Sequence, residues 1–374
     1  MSKNFDVVIV GAGIVGAACA LECAQAGLKT AIIEEGIVGG GATAAAMGHI
    51  VAMDDSDAQF ALTRYSQQLW LSRKDELPKD VEFETTGTIW VAADEQEMVE
   101  VRRKHSYYTA RRVPCHILDA GALVEAEPHL RSGLAGGLLV PEDGVLYPPT
   151  AARWFWSRAQ SCGATAIQGR VTAISEIGFS LRDGSSFTPG ITVVATGAWA
   201  SELDPGLEIK KRKGHLAITD RYAGFVRHQL VELGYLKSAH SVTSDSVAFN
   251  VQPRATGQVL IGSSRQYEAE DSDIDRQMIR AMLARACEYM PELAQKAVVR
   301  CWTGFRAATR DKLPLIGPST KKLNVWFATG HEGLGITTSL GTAKLLVDQL
   351  LGRTPAIPFE PYLPSRQLRE HVYV

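Results

Sequence analysis

Phe5-Asp6-Val7-Val8-Ile9-Val10-Gly11-Ala12-Gly13-Ile14-Val15-Gly16 decides how the chain is read. The apolar run from Phe5 to Val10 predicts a buried strand. Glycines at 11, 13 and 16 follow at once, and Ala17 to Ala26 continues as a helix. A second apolar run, Thr30 to Ile33, ends in Glu34, eighteen residues after the last glycine. This is the pattern of a βαβ unit that binds a dinucleotide. Gly11 allows the tight turn, Gly13 lets backbone approach a pyrophosphate, and Gly16 lets helix and strand pack closely. The helix start offers N–H groups and partial positive charge to the same anion. Glu34 is placed to accept hydrogen bonds from a ribose diol and would repel a 2′-phosphate. An ordinary glycine-rich turn accounts for the glycines but leaves Glu34 to chance.

With 374 residues, the chain is long enough for two domains that share a large core. A formal net charge of −2 and the lack of a basic tract give no reason to expect nucleic acid or an anionic membrane as partner. No apolar run reaches the ~18 residues of a spanning helix. The cysteines at 19, 23, 115, 162, 287 and 301 form no CxxC pair and no iron–sulfur spacing. Cys19 and Cys23 share a helical face, where a buried thiol is the simpler reading than a metal or redox site. No metal is expected, and the free cysteines suggest a reduced, cytoplasmic protein.

Beyond Glu34, residues 36–49 are nearly free of bulky side chains, so backbone there can approach a flat ligand. Helices are expected over 57–77, over 94–111 as a charged and exposed element, from an Asp119 cap to Pro128, over 150–160, over 274–290 and over 337–351. Strands are expected over 85–91, 138–147, a hairpin near 179–184, Ile191 to Ala195, and several stretches between 212 and 305. No repeat or low-complexity linker separates these regions, so the domains should interleave. The expected class is α/β (α+β).

Three further segments carry a resemblance. Val193-Val194-Ala195-Thr196-Gly197-Ala198-Trp199 resembles the V-x-A-T-G-A-W signature at the flavin of D-amino-acid oxidase-like flavoproteins. Gly304-Phe305-Arg306 to Gly317 resembles their G-x-R-P-x-T-x-D-x-x-P-x-I-G segment, with Ala307 where the family usually has proline. Gly330-His331-Glu332-Gly333-Leu334-Gly335-Ile336 resembles the glycine-rich turn before their last helix. With the first unit, these segments match from end to end. Residues 41–49, followed by Met53-Asp54-Asp55, look most like the β subunits of D-hydroxyproline dehydrogenases.

The resemblance implies a Rossmann-like FAD-binding domain over 1–80, 146–214 and 306–374. It implies a substrate domain on an antiparallel sheet over 81–145 and 215–305. FAD is expected to be held non-covalently, since no residue matches a known attachment site. The implied cofactor residues are Gly11, Ala12, Gly13, Ile14, Val15, Gly16, Glu34 and Glu35; then Gly41, Ala42, Thr43, Ala45, Ala46, Met47 and Gly48. Arg170, Val171, Ala195, Thr196, Gly197, Trp199 and Arg306 follow, with Gly330, Gly333, Leu334, Gly335, Ile336 and Thr337 closing the set. Arg306 is expected to bind the substrate carboxylate, for which a guanidinium offers two parallel hydrogen bonds. Arg310 is a weaker alternative. Met47, His49, His331 and Glu332 are the other candidate catalytic residues. His49 fits either proton handling or a buried structural histidine, and His331 and Glu332 fit positioning. Tyr235, Tyr267 and Gln252 are candidates for the substrate cavity; Trp154 and Trp156 read as core.

The implied reaction is oxidation of an amino-acid Cα–N bond to an imine, by hydride transfer to flavin N5, with a D-hydroxyproline or D-proline type substrate. Opine, sarcosine, glycine or D-amino-acid oxidation is the alternative within the class. A non-catalytic FAD-binding assembly subunit and an NAD-dependent dehydrogenase are the rivals outside it. Partner subunits carrying an iron–sulfur centre or a second nucleotide site are expected by the same resemblance, and through them contact with the inner face of a membrane.

Overall fold

The structure, a computed structural model, describes residues 5–234, 245–267 and 269–369. The first apolar run forms the strand Val7–Val10, at the middle of a six-stranded sheet. Its order is Leu315–Pro318, Val325–Thr329, Ile191–Val194, Val7–Val10, Thr30–Glu34 and Thr165–Gln168. All neighbours are parallel except the Leu315–Pro318 edge. Strands buried on both faces read as continuous apolar runs, which is why this sheet was visible in sequence. The helix Ile14–Gln25 packs against helices Pro148–Ser161 and Gly335–Leu350, and the latter also packs on Asp57–Ser72. Cys19 and Cys23 lie wholly inside this core, as expected, and burial raises both thiol pKa values.

A second sheet has eight strands, in the order Val298–Ala308, Lys210–Arg221, Gln258–Arg265, Ser246–Pro253, Gln229–Glu232, Thr88–Ala92, Gly136–Val140 and His116–Asp119. It departs from the purely antiparallel sheet expected: Gln229–Glu232 and Thr88–Ala92 run parallel. The chain reaches that pairing through a long excursion that includes the first sheet, so no hairpin forces the antiparallel direction. The expected boundaries at 214/215 and 305/306 fall inside the continuous strands Lys210–Arg221 and Val298–Ala308. The chain therefore crosses between its halves on paired strand, without a linker.

The helix expected over 94–111 is Glu95–Ala110, capped by Asp94, but it is not exposed throughout. Met98, Val101, Lys104 and Tyr108 form a buried stripe at helical spacing. Lys104 is fully buried, ion-paired with Asp54, and its ammonium sits 4.4 Å from the centroid of the Trp90 ring. A buried cation persists only when paired, and Asp54 with the indole face supplies both partners. Among the described residues no helix is long and apolar enough to cross a membrane.

Candidate active site

The glycine-rich turn opens one wall of a cavity of about 500 Å³ at the end of the parallel sheet. Gly11 has φ +102°, and a Cβ at Gly16 would stand 2.0 Å from the Gly11 carbonyl oxygen. Turn and helix are thus in direct backbone contact, which only glycine permits. Glu34 binds the turn from the side. Its carboxylate accepts from the Ala12 N–H at 2.8 Å and from the Gly36 N–H at 2.8 Å. The short helix Gly41–Ala44 brings Thr43 under the turn, where its hydroxyl accepts from the Ile14 N–H at 3.0 Å. Two helices, Ile14–Gln25 and Gly335–Leu350, begin at this cavity; neither N-cap residue supplies a side-chain cap, and Thr43 takes only the Ile14 N–H. Thr196 Oγ1 is buried there without a partner among the described residues. Uncapped N–H groups, an acceptor for a diol and an unpaired hydroxyl are what a flavin dinucleotide would satisfy, so the residues present fit FAD.

Gly11, Gly13, Ile14, Val15, Glu34, Glu35, Gly41, Ala42, Thr43, Ala45, Ala46, Met47 and Gly48 line the cavity on one side. Arg170, Val171, Ala195, Thr196, Gly197, Trp199, Arg306, Gly333, Gly335 and Ile336 line it on the other. Arg170 is held by ion pairs to Glu35 at 3.4 Å and Glu202 at 3.5 Å. Four expected cofactor residues stand behind the walls instead. Ala12 and Gly16 support the turn. Gly330 passes against Thr309. Thr337 is fully buried; its hydroxyl donates to the His49 carbonyl at 2.8 Å and accepts from the Val51 N–H at 3.3 Å. Leu334 lines only a second cavity.

That second cavity, about 110 Å³, adjoins the first. His49, Asn250, Arg306, Glu332 and Gly333 line both. Arg306 lies on Val298–Ala308, opposite Arg212 on the neighbouring strand. Its guanidinium rests over Gly214, where an added Cβ would be 2.4 Å from Nη1. Nη1 donates to the Ser264 carbonyl at 2.9 Å. Ser264 is itself fixed by His215, whose N–H donates to the hydroxyl at 2.8 Å and whose Nδ1 is 3.0 Å from it. The Asp275 N–H donates to His215 Nε2, which puts the imidazole proton on Nδ1. Arg306 is thereby oriented without the proline that the family places after it.

Among the other expected catalytic residues, His49 has an unpaired, buried Nε2, and burial pushes its pKa down to about 4. Met47 is buried against Leu216, Ile218 and Leu260, and its carbonyl accepts from Gln252 Nε2 at 2.8 Å. His331 turns back into its own helix, where Nε2 meets Thr342 Oγ1 at 2.9 Å; burial lowers its pKa to about 3. His331 also lines the large cavity, so this contact fits the positioning role expected of it. Glu332, in a left-handed conformation (φ +50°), is ion-paired with Arg212, and that pairing holds the terminal turn to the sheet. Gln252 and Tyr267 line neither cavity; the Tyr267 hydroxyl accepts from Arg212 Nη1 at 3.2 Å. Arg310 is exposed and lines neither. Tyr235 lies outside the described residues.

The second cavity also contains residues that were not expected. Gln59, Trp90, Gln229, Asn250 and Arg265 come from five separate elements. Asn250 Oδ1 is buried and unpaired. Asn250 and Gln252 share a face of Ser246–Pro253 by period-two alternation, the one available sequence signal.

The family model for FAD dependent oxidoreductases (DAO) matches residues 6–349. A glycine oxidase of Geobacillus kaustophilus is 27% identical, with 98% of each chain covered. A hydrogen cyanide synthase subunit HcnC of Pseudomonas aeruginosa is 25% identical over 98% of this chain and 97% of its own. Among solved structures, the Geobacillus kaustophilus glycine oxidase superposes with a TM-score of 0.87 at 26% identity, covering 97% of this chain and 99% of that one. An L-proline dehydrogenase from P. horikoshii shares the fold, with a TM-score of 0.88, 22% identity and 99% of both chains covered. The glycine turn, Glu34, residues 193–199, Arg306 and all but the last residue of the terminal helix fall within the matched span, and the chain belongs to the DAO family of FAD-dependent oxidoreductases, as a flavoenzyme of the amino-acid oxidase and dehydrogenase class.

Proposed function

We propose that this chain is the catalytic, β-type subunit of a dehydrogenase for a D-hydroxyproline or D-proline type cyclic amino acid. The observation that carries the reading is the small cavity beside the flavin cavity, with Arg306 exposed to both. The substrate carboxylate docks on Arg306, whose guanidinium is oriented by the Ser264 carbonyl. The single N–H of the neutral cyclic amine donates to the buried His49 Nε2, with the buried side-chain oxygen Asn250 Oδ1 beside it as the alternative acceptor; neither atom has a partner among the described residues. With a pKa near 4, His49 is too weak a base to hold the amine proton at neutral pH, so it orients the nitrogen lone pair. Bound FAD supplies the hydride acceptor. Catalysis by positioning needs no stronger base in the cavity.

The subunit role draws on the HcnC relative, which is named as part of a synthase. Partner subunits carrying an iron–sulfur or second nucleotide site would take the electrons onward. A second reading, glycine or sarcosine oxidation, is favoured by the glycine oxidases of Geobacillus kaustophilus and Pseudomonas aeruginosa, 27% and 29% identical over nearly the whole chain. Anaerobic absorbance of the FAD-loaded protein separates the two. Bleaching by hydroxyproline or proline isomers supports the first reading. Bleaching by glycine or sarcosine alone transfers the assignment to the second, and readmitted air then distinguishes oxidase from dehydrogenase.

A further inference from the structure

We infer that the end of the small cavity away from the flavin is a hydroxyl-recognition subsite made by Trp90 and Gln59. The inference rests on the proposed docking of the substrate carboxylate on Arg306 and deepens that reading. Both residues line the small cavity and neither lines the large one. Trp90 is 3% exposed and Gln59 is 6% exposed. Trp90 Nε1 and Gln59 Oε1 are both buried without a hydrogen-bond partner among the described residues. Buried polar atoms are nearly always paired, so these two, on residues that line the small cavity alone, call for a ligand beyond the one that His49 and Asn250 face in both cavities.

The two orphans are complementary. An indole N–H only donates, and an amide oxygen only accepts. A hydroxyl donates one hydrogen bond and accepts others, so a single such group can satisfy both atoms, which a purely donating or purely accepting substituent cannot. A second carboxylate would meet the N–H but face the amide oxygen. An ammonium would meet the oxygen but face the N–H. A methylene would leave both unpaired.

The wall is rigid before any ligand arrives. Lys104, held by Asp54, lies over the Trp90 ring at 4.4 Å and fixes its plane. The Gln59 N–H donates to the Ser56 cap at 3.1 Å, and the Gln59 carbonyl accepts from Thr63 Oγ1 at 2.8 Å, which fixes the start of the Asp57–Ser72 helix. Of the charged groups on the same cavity, Asp55 is paired with Lys312 at 3.7 Å and Glu332 with Arg212, and the guanidinium groups of Arg265 and Arg306 complete the set. The substrate class is therefore a small amino acid carrying a hydroxyl on its carbon skeleton, remote from its carboxylate.

The test titrates FAD-loaded protein anaerobically with 4-hydroxyproline and proline of matched chirality, and with glutamate as the dicarboxylate. Equilibrium affinity is read from the flavin band and reduction from its bleaching. The hydroxylated member is expected to be favoured by about 10- to 100-fold. Gln59→Leu and Trp90→Phe are each expected to shrink that ratio to within about threefold. Because the ratio is taken within one protein, Gln59→Leu decides the matter if Trp90→Phe fails to fold. A wild-type ratio near one, a ratio unchanged in Gln59→Leu, tighter binding of glutamate, or no binding by any of the three overturns the subsite. Equal reduction by proline and hydroxyproline would remove the subsite and leave the imino-acid reading intact. Binding in the predicted ratio without reduction would do the reverse.

Discussion

The two cavities are built from different materials. The large one is mostly backbone: glycine turns, two uncapped helix starts and one carboxylate that ties the turn together. The small one is mostly side chains, drawn from strands and helices far apart in sequence. Backbone recognition suits a cofactor whose shape never varies. Side-chain recognition can be exchanged residue by residue, so the proposed function puts specificity in the small cavity, while the backbone features of the large one go with the family.

The comparison predicts that damage to each cavity separates cofactor from substrate. The largest effect belongs to Gly16→Val, whose side chain would overlap the Gly11 carbonyl oxygen. The purified protein is expected to lose FAD altogether, read as the ratio of flavin to protein absorbance. Gly214→Ala comes next. Its Cβ would meet the Arg306 guanidinium at 2.4 Å. The side chain has to swing away, so kcat/KM should fall about 10- to 100-fold while the flavin spectrum and content are retained.

Two smaller effects concern pH and have opposite signs. Asp143 is buried; its carboxyl accepts from Gln67 Nε2 at 2.7 Å and from the Ala52 N–H at 3.2 Å, and burial raises its pKa to about 7. The folded form holds this proton where the unfolded form has lost it. Its contribution is complete below the unfolded carboxylate range and is lost as pH rises toward 7. Asp143→Asn should therefore gain about 2 kcal/mol relative to the parent between pH 5 and 8, measured by denaturant melts. His331 acts the other way. Buried neutral with a pKa near 3, it costs stability as pH falls below its unfolded value near 6.5. His331→Asn should recover about 2 kcal/mol of the loss between pH 7 and 5. If both variants follow the parent curve, neither group is the buried titrating site described.

Legibility followed the same division. The dinucleotide turn occupies consecutive residues whose roles depend on backbone, so Gly11 to Gly16 and Glu34 could be read directly. Arg306 could be singled out because it sits in a short motif, and the fold sets it on both cavities. For His331 the sequence offered positioning or a substrate-facing ring, and its contact with Thr342 comes only with the fold. Asn250 lost out to Gln252 because alternation puts both on one face, and only the opposing Met47 carbonyl separates them. Lys104 looked like part of an exposed charged helix until Asp54 and Trp90 came to enclose it. Trp90 and Gln59 meet only through the fold, so no window of sequence joins them.

The most direct test of the division between cavities is Arg306→Met, assayed for FAD content and for anaerobic flavin reduction by the amino acid that bleaches the parent protein. The account predicts parental FAD content, with reduction at subsaturating substrate slowed by at least about 100-fold. Loss of FAD along with reduction, or reduction at the parental rate, would contradict it.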